Sequence, residues 1–128
     1  MNKTFELLTK NETILLALHK NRYCQRNNQI SLDLGPFVCA LEYASSQKAV
    51  VIGKPEKTFF DLAIDSLGFN KDELIMIGDD IFSDIGGAKS NNIKAIQVKT
   101  GKYQLKDESQ DIIQPDYRIN SIADLLFI

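Results

Sequence analysis

ELIMIGDDIFSDIGGAKS, residues 73–90, ends an apolar run on two adjacent aspartates, adds a third at position 84, and follows it with two glycines. Residues 73–78 read as a strand buried on both faces, and Ser83 to Ser90 as a short helix. Asp79 and Asp80 repel each other. A turn or a helix cap needs one carboxylate, and this segment carries three. A hard cation neutralises such a cluster. Mg²⁺ takes oxygen ligands, usually one or two carboxylates together with waters and a phosphate. Gly86-Gly87 would let the helix lie close to the sheet, or simply weaken its start.

Moving outward, AVVI (49–52) is a β-branched strand. PEKTFFDLAIDSLG (55–68) is a helix with Pro55 at its first position, Phe59, Phe60, Ala63, Ile64 and Leu67 on its apolar face, and Gly68 at its C-cap. IKAIQV (93–98) is a third strand. Residues 99–115 form a long loop. DYRI (116–119) is a last short strand and SIADLLFI (121–128) a closing helix. Toward the N-terminus, ILLALH (14–19) reads as a buried strand. NRYCQRNNQ (21–29) is a polar turn region or a hairpin leading to ISLDL (30–34). Residues 36–46 form a helix begun by Pro36. Strands alternating with helices predict an α/β fold, a parallel sheet with helical crossovers. Ligands of such sheets bind beyond the carboxyl ends of the strands. That rule selects Gly53-Lys54 and Gly78-Asp79-Asp80.

A lysine before a helix opposes the helix dipole. Lys54 either snorkels into solvent or faces an anion. Beside Asp79, Asp80 and Asp84 it makes a coherent site: Mg²⁺ on the acids, and a phosphate between the ion and Lys54. Lys99, Thr100 and Lys102 read either as the rim of that site or as a solvated loop. His19 reads as a turn histidine, Asp33 as structural, and Glu42 and Tyr43 either as helix-surface residues or as substrate contacts.

The 128 residues suit one compact domain and are 44% hydrophobic and 25% charged, an ordinary globular composition. A formal net charge of -2 with no basic stripe argues against nucleic acid as a partner. No apolar run approaches the roughly 20 residues that span a bilayer. MNKTFELLTK lacks the features of a signal peptide. Cys24 and Cys39 fit no metal spacing and read as reduced thiols, which predicts a cytoplasmic protein.

VVIGKPEKTFFDLAI followed by MIGDDIFSDIGGAKSNNIKAIQVKTGKY resembles the haloacid dehalogenase (HAD) superfamily of phosphatases, in its type with a large cap. The resemblance runs from about residue 12 onward. It implies that residues 1–50 are the C-terminal part of an α/β cap. Residues 51–128 would then be the C-terminal half of a Rossmann-like core. It also implies roles. Lys54 would hold the transferring phosphoryl group, Asp79 would bind Mg²⁺, and Asp84 would support the metal's waters or Lys54. Asp80, between them, is the weaker metal candidate. The substrate would be a phosphorylated small molecule or phosphate itself.

The family's nucleophile is the first aspartate of a DxDGT-type motif, followed later by a Thr or Ser motif, and neither occurs in this sequence. The expectation is therefore a fragment of a Mg²⁺-dependent phosphatase, unable to form an aspartyl-phosphate by itself. The alternative is a catalytically inactive phosphate- or Mg²⁺-binding module. A half core would leave an open sheet edge, which predicts self-association or strand exchange.

Overall fold

The computed structural model describes residues 1–10, 13–26, 29–109 and 111–127. The chain divides into two compact units, Met1–Gly53 and Lys54–Ile128. The fold is mixed α/β with parallel strands, as the alternation of elements predicts.

The first unit opens with helix α1 (Asn2–Thr9), which the sequence reading did not anticipate. Its one buried residue is Leu8, whose carbonyl accepts a 2.7 Å bond from the Gln47 side chain. The apolar run at 14–19 contributes only β1 (Leu16–Ala17), parallel to β4 (Val50–Val51). Ile14, Leu16 and Leu18 are exposed, so this run is not the buried strand its composition suggested. The polar stretch after it is a hairpin rather than a turn region. β2 (Tyr23–Arg26) runs antiparallel to β3 (Gln29–Leu32), and the tip at Asn27 and Asn28 lies outside the described residues. Asp33 caps helix α2 (Leu34–Ser45), its carboxylate accepting the Leu34 N–H at 2.8 Å, as short polar residues do at helix starts. The helix thus begins two residues before Pro36, which still lies in the first turn where its missing N–H costs nothing. Glu42 is buried rather than a surface residue. It pairs with Lys20 at 2.6 Å and accepts the Ala49 amide at 3.0 Å.

In the second unit, β5 (Ile75–Gly78), β6 (Lys94–Val98) and β7 (Tyr117–Ile119) form a parallel sheet in that order. Among the described residues β5 pairs on one side alone, with Gly78 opposite Gln97. Helix α3 (Lys57–Leu67) starts two residues after Pro55, which with Glu56 forms its approach; Gly68 ends it at φ 70°. The short helix expected over 83–90 is longer. A π-helical segment, Ile81–Gly86, leads directly into α4 (Gly87–Ser90). Gly87 lies against the Phe60 ring of α3. A Cβ there would stand 2.7 Å from that ring, so the small size of Gly87 serves helix–helix contact rather than helix–sheet contact. The expected closing helix is 3-10, Ile122–Phe127, and a further 3-10 turn, Leu105–Glu108, interrupts the long loop. Phe60, Ile81, Ile85, Ala88, Ile93 and Ala95 make the core, with Phe59, Ile64, Leu74, Met76 and Ile113 packed on its margin.

Asp116 ties this unit together. Its carboxylate accepts the Ala95 amide at 2.8 Å and the Lys89 ammonium at 2.8 and 2.9 Å. The Lys89 bond and the Ala95 amide hold its carboxyl below the ordinary aspartate value. A depressed folded pKa contributes stability above the unfolded value, about 3.9, and that stability is lost as pH falls through the folded value. Urea unfolding between pH 5 and pH 3 is expected to show a falling midpoint. Asp116→Asn should flatten that fall and cost about 1 kcal/mol at pH 7.

Candidate functional site

β5 ends at Gly78 and delivers Asp79 and Asp80 into the turn before the π segment. Asp80 caps that segment. Its Oδ1 accepts the Phe82 and Ser83 amides at 3.0 and 3.1 Å. Its carbonyl accepts from both Asp84 N at 3.0 Å and Ile85 N at 3.2 Å, the widened spacing of a π turn. The turn brings the Asp84 carboxylate back over the strand end. Its Oδ2 accepts the Asp80 amide at 3.2 Å and its Oδ1 accepts the Lys54 ammonium at 2.7 Å. Asp84 is 4% exposed, and Lys54 also lies 5.9 Å from the Phe59 ring centre. Gly78 makes this return feasible, because a Cβ there would overlap the Asp84 carboxylate.

The loop after β6 closes the other side. The Lys102 amide donates to Asp79 Oδ2 at 2.6 Å, and the Lys102 ammonium donates to Asp80 Oδ2 at 3.0 Å. Gly101 adopts φ 57°, and a Cβ on it would overlap Asp79 Oδ2; glycine alone takes that backbone without strain. Burial raises the Asp80 pKa, but the Ser83 amide, the Lys102 ammonium and the Phe82 amide outweigh it and hold it below the ordinary value.

A buried polar network fixes this loop. Gln97, fully buried on β6, donates to Asp107 Oδ2 at 3.3 Å and accepts from Arg118 Nε at 3.1 Å. Arg118 also donates to the Asp107 carbonyl at 3.2 Å, and the Gln104 amide to Asp107 Oδ2 at 3.0 Å. Lys99 pairs with Glu108 at 2.6 Å.

The structure therefore joins Lys54 to Asp84 directly and sets Asp79 and Asp80 beside them, each bound to Lys102. The sequence reading passed over Gln97, Asp107 and Arg118. A signal existed in IKAIQV, where one amide side chain interrupts an otherwise apolar strand interior. Among the described residues, no three His, Cys, Asp or Glu side chains converge into a ready metal cage. The donors present are all hard carboxylate oxygens, which suits a cation that keeps most of its waters.

Gly78→Ala tests this packing. It should destabilise the second unit by about 1–3 kcal/mol, read as a lower urea midpoint, because the Asp84 carboxylate must leave its position.

Three comparisons bear on the family. Residues 51–125 match the family model described as HAD-hydrolase-like. The haloacid dehalogenase-like hydrolase domain-containing protein 2 of Bos taurus is 48% identical over 110 residues, covering 86% of this chain and 42% of that protein. The phospholysine phosphohistidine inorganic pyrophosphate phosphatase of Bos taurus is 41% identical over 125 residues, 97% of this chain and 46% of that protein. The 4-nitrophenylphosphatase of Thermotoga maritima superposes with a TM-score of 0.87 at 26% identity, over 99% of this chain and 49% of that one. The chain thus spans about half the length of the relatives it matches. With a strand end carrying GDD, a returning Asp84 bound to Lys54, and a family match over more than half its length, the chain belongs to the HAD-like hydrolases.

Proposed function

We propose that this chain supplies the metal- and phosphate-binding part of a Mg²⁺-dependent phosphatase acting on phosphomonoesters or pyrophosphate-type substrates. The observation that carries this reading is the Lys54–Asp84 pair beside Asp79 and Asp80. Three carboxylates there face two ammonium groups, Lys54 and Lys102, which leaves one formal negative charge for a cation to balance.

Asp79 is the carboxylate ligand. Asp84 orients Lys54 and supports the metal's waters. Lys54 holds a phosphate oxygen by its charge, and Asp84 keeps its ammonium at the strand end. Mg²⁺, when bound, supplies positive charge to the phosphoryl oxygens. The first unit is the end of a cap domain that shapes substrate choice. The names of the relatives support phosphoryl substrates, including inorganic pyrophosphate. Free Cys24 and Cys39 support a reducing, cytoplasmic setting; no described helix is long and apolar enough to cross a membrane. The one-sided pairing of β5 supports self-association or strand exchange.

A second reading has its own observation. No DxDGT-type motif occurs in the sequence, so the chain alone binds phosphate without turning it over. Calorimetric titration with inorganic phosphate, with and without Mg²⁺, tests the site, and hydrolysis of an aryl phosphate separates the two readings. Phosphate is expected to bind more tightly with Mg²⁺. Asp79→Asn should abolish that enhancement, and Lys54→Ala should weaken binding about tenfold or more. Hydrolysis of an aryl phosphate by the wild-type chain, lost in Asp79→Asn, would overturn the binding-only reading. Phosphate binding indifferent to both Mg²⁺ and Lys54 would overturn the phosphatase-site reading.

A further inference from the structure

Lys102 is the feature of the site that the phosphate chemistry does not use. It is a cation placed inside an acid cluster, and its side chain is 18% exposed, as Asp80's is 17%. It reaches both adjacent aspartates at once, Asp79 through its backbone N–H and Asp80 through its ammonium. With Oδ1 on two amides and Oδ2 on Lys102, Asp80 has both oxygens engaged. The loop that carries Lys102 is tied further along at Asp107, whose carboxylate accepts from Gln97 and whose carbonyl accepts from Arg118.

We infer that Lys102 is a positioning residue that withholds Asp80 from the metal, so that the GDD turn offers one carboxylate instead of two and favours Mg²⁺ over Ca²⁺. The inference rests on the metal site proposed above. Its physical basis is ligand number. Mg²⁺ keeps several waters and takes one or two carboxylates, whereas Ca²⁺ gathers roughly six to eight oxygens and gains from each added carboxylate. Replacing Lys102 by a neutral side chain releases Asp80 Oδ2 beside Asp79. The larger ion should profit more.

The test is displacement of Mn²⁺ from the 128-residue chain by Mg²⁺ and by Ca²⁺, followed by electron paramagnetic resonance. Lys102→Met is expected to raise the affinity for Ca²⁺ relative to Mg²⁺ about tenfold. Lys102→Arg should keep the wild-type ratio, and adding Asp80→Asn to Lys102→Met should restore it. A general loosening of the loop would not be reversed by a change at Asp80. An unchanged ratio in Lys102→Met, or the same shift with Asp80→Asn present, overturns the inference. If Lys102→Met fails to fold by circular dichroism, Asp80→Asn alone decides. Mg²⁺ affinity within about twofold of wild type supports withholding, and a loss of about tenfold makes Asp80 a ligand and overturns it. Asp79→Asn separates the two levels. Mn²⁺ binding lost in Asp79→Asn with no ratio change in Lys102→Met defeats the inference alone. A wild-type chain that binds no Mn²⁺ defeats the metal site and the inference together.

Discussion

The carboxylate of Asp84 is almost entirely out of water, and a buried charge of that kind costs several kcal/mol unless it is paired and hydrogen-bonded. Lys54 and the Asp80 amide meet that demand. Much of the second unit follows from it. Position 78 must lack a side chain, the segment after it must widen into a π turn, and the residues leading into α3 must present a lysine. The site is therefore also a piece of the unit's interior. Ile81 and Ile85, on the same π segment, are core residues. A segment that carries acids on one side and core on the other couples the chemistry to the packing, and neither can shift without the other.

Such coupling explains what could be read in the sequence. Lys54, Asp79, Asp80 and Asp84 stand out because three acids at one strand end are more than a turn or cap needs. The strands at 75–78 and 94–98 were legible as mainly apolar runs, and that at 117–119 as a short Tyr-Arg-Ile stretch after the long loop. Gly68 marked the end of α3 for its left-handed backbone. The failures have physical causes too. The β2–β3 hairpin was one of two readings of a mixed polar and apolar stretch, and periodicity could not choose it over a turn region. The run 14–19 is apolar, yet only two of its residues pair and several face outward. The π segment depends on a carbonyl shared between two amides, which no residue pattern encodes.

Lys102 was legible only as one of two readings, rim or solvated loop. Its place is set by long-range bonds to Asp79 and Asp80, and its loop is held further along by residues that look unremarkable in sequence. Gln97 is an amide in an apolar strand, Asp107 one acid in a charged turn, Arg118 one cation in a short strand. Their meaning comes from the register of β6 and β7, which sets Gln97 opposite Arg118.

That register has a consequence for the order in which the chain takes shape. The GDD turn and its returning Asp84 lie within seven residues of one another and can form locally once β5 and the π segment are in place. The partner of Asp79 and Asp80 comes from position 102, and Arg118 binds Gln97 and the Asp107 carbonyl on either side of that position. During synthesis from the N-terminus, the acid cluster emerges well before the strand that finishes arranging it. The last parallel strand therefore joins β6 after the acids have emerged, and it contributes no ligand to the site whose loop it helps to anchor.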